Sequence, residues 1–160
     1  MGLKFKEQKY GQCFFVTTSF ENHRKLGDID GIYEALSQSL NHVIRATGSS
    51  LISYVFMPSH LHMVMLIKGE LLAGLMRDFK KFTAQKTIKD IVKCGKIWQD
   101  GYDRQVIYSE NVLTTKISYI HYNPVKAELA DRPEDWYYSS AADYSGREKG
   151  PVLVWKDWRF

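Results

Sequence analysis

Leu51-Ile52-Ser53-Tyr54-Val55-Phe56-Met57-Pro58-Ser59-His60-Leu61-His62-Met63-Val64-Met65-Leu66-Ile67 is two apolar runs, rich in β-branched and aromatic residues, joined by a proline-serine pair. Each run reads as a strand, and Pro58-Ser59 is short enough to return the chain directly as a hairpin. The two strands are therefore expected side by side in a sheet. Alternation along the second strand sends His60 and His62 to one face and Leu61 to the other. Two imidazoles on one face of a strand can share one metal ion.

Outward from the hairpin the pattern changes period. Gln12 to Phe20 reads as a first strand, and Glu21 to Leu26 is polar and reads as a loop. From Ile29, the residues Ile32, Leu36, Leu40, Val43 and Ile44 recur at three- and four-residue spacing, which predicts an amphipathic helix ended by Thr47-Gly48-Ser49-Ser50. Beyond the hairpin, Leu71 to Val92 predicts a long helix with Leu72, Leu75, Met76 and Phe79 on one side. Its Arg77, Lys80, Lys81, Lys86 and Lys89 have the ordinary reading of a solvated face. Cys94-Gly95 is expected to close that helix, and Ile97 to Ile107 is extended, interrupted at the turn dipeptide Asp100-Gly101. Strand, helix, strand, strand, helix, strand is the βαββαβ order of the α+β, ferredoxin-like antiparallel sheet, with two helices on one face and the other face left open.

After the sheet, Ser109 is a plausible N-cap for a further helix carrying Val112, Leu113, Ile117 and Ile120. Pro124 is expected to limit that helix, because the residue before a proline disfavours helical angles, with a short helical resumption over Val125 to Ala130. The aromatic tail from Trp136-Tyr137-Tyr138-Ser139-Ser140 to Trp155-Lys156-Asp157-Trp158 should pack onto the body. One domain over residues 1–160 is expected, with its core at about 10–131 and an aromatic extension at about 132–160.

Bulk properties agree with that scale. A chain of 160 residues suits one two-layer core. Hydrophobic content of 44% and charged content of 25% are ordinary for a globular chain. No apolar run is long enough for a membrane span, and Met1 to Glu7 lacks the apolar centre of a signal peptide. A cytoplasmic protein with no membrane partner is expected. Cys13 and Cys94 form no C-x-x-C pattern and are expected reduced. The net charge of +4 permits a polyanionic partner without requiring one.

Turning the last helix by about 100° per residue puts Leu113, Ile117 and Ile120 on the core stripe. Tyr119 and Asn123, four apart, lie on its flank with Lys116, whereas Tyr122 points away from the core and His121 lies on the other flank. Only one tyrosine here shares a face with an amide and a lysine. A phenol beside a metal-bound phosphate can attack phosphorus and form a phosphotyrosine ester. Two imidazoles and an amide oxygen suit manganese, zinc or nickel better than calcium, and abundant magnesium can also serve. Each residue alone has a plainer reading: Tyr119 as one packing aromatic among ten tyrosines, and Asn123 as a helix-ending turn residue.

Five blocks, in order, resemble the REP-associated tyrosine transposases within the single-tyrosine HUH (IS200-like) transposases. They are Met57-Pro58-Ser59-His60-Leu61-His62; Asp78-Phe79-Lys80 with Thr83; Trp98-Gln99 with Tyr102-Asp103-Arg104; Tyr119-Ile120-His121-Tyr122-Asn123-Pro124-Val125-Lys126-Ala127; and Trp136 with Ser139-Ser140. The resemblance spans about residues 10 to 145. It implies a ferredoxin-like enzyme, a DNA nickase and strand transferase, that cuts and rejoins single-stranded or hairpin DNA and leaves a 5′-phosphotyrosine link. On that footing His60, His62 and Asn123 are expected metal ligands for magnesium or manganese, with zinc or nickel able to replace them in vitro. Tyr119 is the expected nucleophile, and relatives act as monomers or homodimers. Lys80, Trp98, Tyr102, Arg104 and Lys116 are the expected DNA contacts. Glu128 stands where the family usually has glycine, so a different local backbone is expected there.

Binuclear zinc hydrolases require an aspartate and a histidine after H-x-H, but Met63, Val64 and Met65 follow here. The rival of another class is a non-catalytic or domesticated module that binds single-stranded nucleic acid on the sheet. It has no need of the histidine pair together with Tyr119.

Overall fold

The computed structural model describes residues 11–93 and 95–158. Cys94 and the first ten residues, on which expectations about helix closure, redox state and a leader sequence fall, lie outside them. Four strands form one antiparallel sheet: β1 (Cys13–Ser19), β2 (Ser50–Phe56), β3 (His60–Leu66) and β4 (Asp103–Val106), in the order β2-β3-β1-β4. The expected hairpin is β2–β3, and the histidine strand is central, bonded on its other side to β1 from Cys13↔Leu66 to Ser19↔His60. This order, with helices α1 (Ile32–Thr47) and α2 (Gly69–Phe82) as crossovers, is that of the ferredoxin-like fold.

One face of the sheet holds the main core, where Phe14, Val16, Tyr54, Phe56, Leu61, Met63 and Met65 meet Leu36, Leu40, Leu72, Met76 and Phe79 of the two helices. The alternation read from sequence sends these residues inward. Helix α1 begins at Ile32, after Gly31 at φ +90°, because Ile29 follows a 3-10 turn (Leu26–Asp28). Gly48 at φ +64° ends it. Helix α2 continues past Phe82 as a π-helical stretch, Thr83–Ile88, and a last α-turn, Lys89–Val92. The change occurs at Thr83, whose buried hydroxyl bonds back to Phe79 O (3.1 Å) and Lys80 O (3.0 Å).

The second face is not left open as expected. Helix α3 (Glu110–Lys126) lies over its β2–β3 side, burying Leu113, Ile117 and Ile120 against Cys13, Ile52, Val55 and Val64. Cys13 is a buried free thiol there, pushed up to about 11 by burial. The start of α3 is as read: the Ser109 hydroxyl accepts from Val112 N–H. Its end is not, since the helix runs through Pro124 to Lys126. Proline removes the N–H that would reach Ile120 O, but Pro124 is buried in the helix interface, and tertiary packing overrides the local preference.

The helix stops two residues after Pro124 in a Schellman motif, with Glu128 N–H on Val125 O (3.0 Å) and Leu129 N–H on Pro124 O (2.9 Å). Glu128 takes φ +58°. A glutamate therefore adopts the glycine-type backbone, and the altered conformation expected at this position does not occur.

The extension packs as expected, and it blunts the free edge of β2. Val55 bridges Ser139, Phe56 N–H donates to Tyr138 O (2.9 Å), and Trp155 N–H donates to Leu51 O (2.7 Å). Trp136 Nε1 donates to Phe56 O (3.0 Å). No helix among the described residues is long and apolar enough to cross a membrane.

Candidate functional site

His60 and His62 lie on the sheet face that α3 half covers, with ring centroids 4.7 Å apart. Each has one ring nitrogen already committed. His62 Nδ1 shares a 2.7 Å hydrogen bond with Thr17 Oγ1, its neighbour in register on β1, and His60 Nδ1 lies 3.0 Å from Ser59 Oγ. With Nδ1 donating, each Nε2 keeps a lone pair. Burial depresses both imidazoles. His62, 6% exposed, is pushed down to about 3 by burial and then by His60 and Lys116, and His60 is lowered by burial and His23. At neutral pH both are uncharged, the form that binds metals.

The Asn123 side chain hydrogen-bonds the His60 imidazole, a contact that opposes the effect of burial. Among the described residues no three His, Cys, Asp or Glu side chains cluster as a metal site, so a third protein donor at this pair is the neutral Asn123 amide. That donor set fits a divalent ion and leaves its charge uncompensated for an anionic ligand.

Tyr119 stands one helical turn before Asn123 on the same flank of α3. Its ring is 5.3 Å from His62 and 5.9 Å from Phe15, and Phe15 stacks on His62 at 5.5 Å. The tyrosine is 41% exposed, so the phenol is reachable from solvent. Lys116 Nζ lies 4.4 Å above the Phe15 ring and 5.9 Å from Tyr119, and Lys126 Nζ lies 5.8 Å from Tyr119. Tyr122 is exposed, and His121 points away into a contact with Ser140, as the helix phase predicts. One chain thus brings Tyr119, His60, His62, Asn123 and Lys116 together.

The other expected DNA contacts have different surroundings. Trp98 is 6% exposed, stacks on Phe20 at 4.6 Å and donates its indole N–H to Thr83 Oγ1 (2.8 Å). It has no face free for a base, and its stacking role is withdrawn. Lys80 Nζ is held by Gln99 O (2.9 Å) and Gly101 O, bracing the loop rather than reaching outward. Tyr102 packs half-buried against the core and hydrogen-bonds Arg104. The blocks at 78–83 and 98–104 therefore meet in space, one supporting the other.

Two residues near the site were given no role in it from the sequence. Lys126 lies beyond the expected stop at Pro124, which hid that it repeats the Tyr119 face two turns on. His23, in a polar loop, carries no sequence signal. It is near enough to His60 to lower its proton affinity.

No protein-family model and no curated protein matches the chain. Among solved structures, it is similar to a REP-associated tyrosine transposase bound to a REP hairpin, with a TM-score of 0.72 and 22% identity over 94% of this chain and 87% of that one. The chain has the fold of that transposase. It is also similar, at TM-score 0.51 and 15% identity, to a candidate transposase from Deinococcus radiodurans R1, over 69% of this chain and 89% of that chain. The first likeness spans 94% of this chain, so the shared fold takes in the sheet, its helices and most of the extension.

Proposed function

We propose that this chain is a metal-dependent tyrosine transposase that cleaves and rejoins single-stranded DNA at hairpin sites. The observation that carries the reading is the contact of Tyr119 with His62 beside the Asn123–His60 pair, within one chain. The hairpin DNA bound to the similar transposase supplies the substrate class.

Tyr119 Oη attacks the scissile phosphorus, the phenolic proton passes to solvent, and the bond to the 3′ oxygen breaks as that oxygen takes up a proton from solvent, leaving a 5′-phosphotyrosine and a free 3′-hydroxyl. Rejoining is the reverse, with an incoming 3′-hydroxyl displacing the tyrosine. A divalent ion, held by His60, His62 and Asn123, would polarise a phosphoryl oxygen. Lys116 and Lys126 flank the tyrosine with positive charge, where the phosphate accumulates negative charge as the new bond forms. Phe15 fixes the planes of His62 and Tyr119 by packing against both.

Incubation with labelled hairpin oligonucleotides and manganese, followed by a denaturing protein gel, tests the reaction. A covalent adduct is expected with the native chain and is expected to vanish in Tyr119→Phe. Retained hairpin binding with no adduct across a broad set of hairpins would favour the binding-module reading instead.

A further inference from the structure

Three side chains stand in one row across the sheet, on the face that carries the histidines. His62 on β3 pairs in register with Thr17 on β1, and Thr17 pairs on its other side with Asp103 on β4. Directly opposed residues of an antiparallel ladder point to the same face and hold their Cβ atoms about 4.5–5.5 Å apart. Thr17 Oγ1 closes the first step of the row with its 2.7 Å hydrogen bond to His62 Nδ1. A hydroxyl differs here from a carbonyl or a carboxylate, because it can donate or accept. The sense of that one bond decides which nitrogen of His62 is bare.

The packing around the imidazole fixes less than this. Phe15 stacks on the ring at 5.5 Å with the two planes 18° apart, and Tyr119 meets it edge-on at 5.3 Å. Stacking holds the plane, but a half-turn of the ring within that plane's two orientations exchanges Nδ1 with Cδ2 and Nε2 with Cε1. Nor does stacking distinguish the two neutral tautomers. The Thr17 bond distinguishes both, since it requires a nitrogen on the β1 side and, where Thr17 accepts, requires that nitrogen to carry the proton. Water is a poor substitute at this position, because His62 is only 6% exposed. An ionised carboxylate accepts and never donates, so Asp103 on the far side of Thr17 draws the threonine proton away from His62.

We infer that Thr17 is a positioning residue for His62: its hydroxyl accepts the Nδ1 proton and so fixes both ring orientation and tautomer, with Nε2 left bare and Asp103 setting the sense of the bond. The inference deepens the proposed function and rests on its reading of His62 as a metal ligand. His60 is held differently, with Nδ1 3.0 Å from Ser59 Oγ in its own turn and Ser19 opposite it on β1. Loss of the Thr17 hydroxyl therefore acts on one histidine of the pair. Without it His62 reverts to the Nε2–H tautomer, the more populated one in free imidazole, and Nε2 has no lone pair to give. Removing an outer partner of this kind costs roughly 10–100-fold in metal affinity.

Long-range proton–nitrogen correlation spectra of the metal-free chain with isotope-labelled histidine, recorded at neutral pH, read the tautomers directly, and His62→Ala assigns the His62 signals. The native chain and Thr17→Ser, which keeps the hydroxyl, are expected to show a protonated Nδ1 and a bare Nε2. Thr17→Val, which keeps the branched shape, is expected to show mainly the reverse, with the His60 signals in place because the strand pair is intact. Asp103→Asn should give a mixture of the two. Calorimetric titration with nickel, which binds imidazole more tightly than manganese, should find affinity about tenfold weaker in Thr17→Val and within about twofold of native in Thr17→Ser. A bare Nδ1 in the native chain, a tautomer unchanged in Thr17→Val, or an equal loss of nickel affinity in the serine and valine variants overturns the role of Thr17. The native tautomer retained in Asp103→Asn overturns the part given to the carboxylate. Nickel affinity left unchanged by His62→Ala instead rejects His62 as a ligand, and with it the proposed metal-dependent reaction, whatever the tautomers show.

Discussion

Glu128 shows how a single residue can keep a backbone while departing from the expected side chain. The αL conformation costs an L-residue about 1–2 kcal/mol, and glycine escapes it at the expense of a more flexible unfolded chain. Both Schellman hydrogen bonds form regardless. Glu128→Gly is therefore expected to raise unfolding stability by about 1 kcal/mol in urea melts, and a loss of stability would show that the glutamate side chain holds the turn. His60 and His62 were legible at this scale because strand alternation needs only local sequence. His23 was not, because its place is set by a strained turn and by strand ends brought close only after folding.

At the scale of elements, α3 carries the tyrosine and is clamped from behind. His121 Nε2 is 2.8 Å from Ser140 Oγ, which in turn accepts from Tyr54 N–H (3.0 Å), while Tyr144 packs edge-on against the imidazole at 5.0 Å. This chain of contacts ties helix, extension and β2 together, and it gives the Ser139-Ser140 block a physical purpose that the sequence alone did not. Burial pushes His121 down to about 4. Because the folded value is depressed, the unfolded chain takes up the proton first: the clamp is intact above the ordinary histidine range, and stability falls as pH drops from about 6.5 towards 4. His62, depressed further, adds to the same slope. In chelator, urea melts between pH 7 and 5 should show a steep loss, made shallower by up to about 1.4 kcal/mol per pH unit in His121→Gln. Equal slopes in both proteins would remove His121 from the clamp. The continuation of α3 through Pro124 was illegible for a related reason. The rule against a helical residue before proline is local, and the burial that overrides it is not.

Across the whole molecule, hydrophobic periodicity carried most of the βαββαβ order, and the largely polar β4 was read from the extended segment around the Asp100-Gly101 turn. What it could not carry was the coverage of the second face. An open face was expected there, but the apolar stripe of α3 and the aromatic tail find their partners on β2 and β3, leaving exposed only the half where β1 and β4 meet the histidines. That division is what places Tyr119 against its own chain's His62 and leaves its side chain open to solvent. It also bears on assembly under the proposed function, because one chain brings Tyr119, His60, His62 and Asn123 together. The most direct measurement of that claim is a mixing experiment. Tyr119→Phe and a His60→Ala/His62→Ala double variant, each inactive alone, are combined with labelled hairpin DNA and manganese, and adducts are compared with those of the native chain. The single-chain site predicts adducts from the native protein and none from the mixture. Adducts restored in the mixture would mean that the tyrosine of one chain serves the histidines of another.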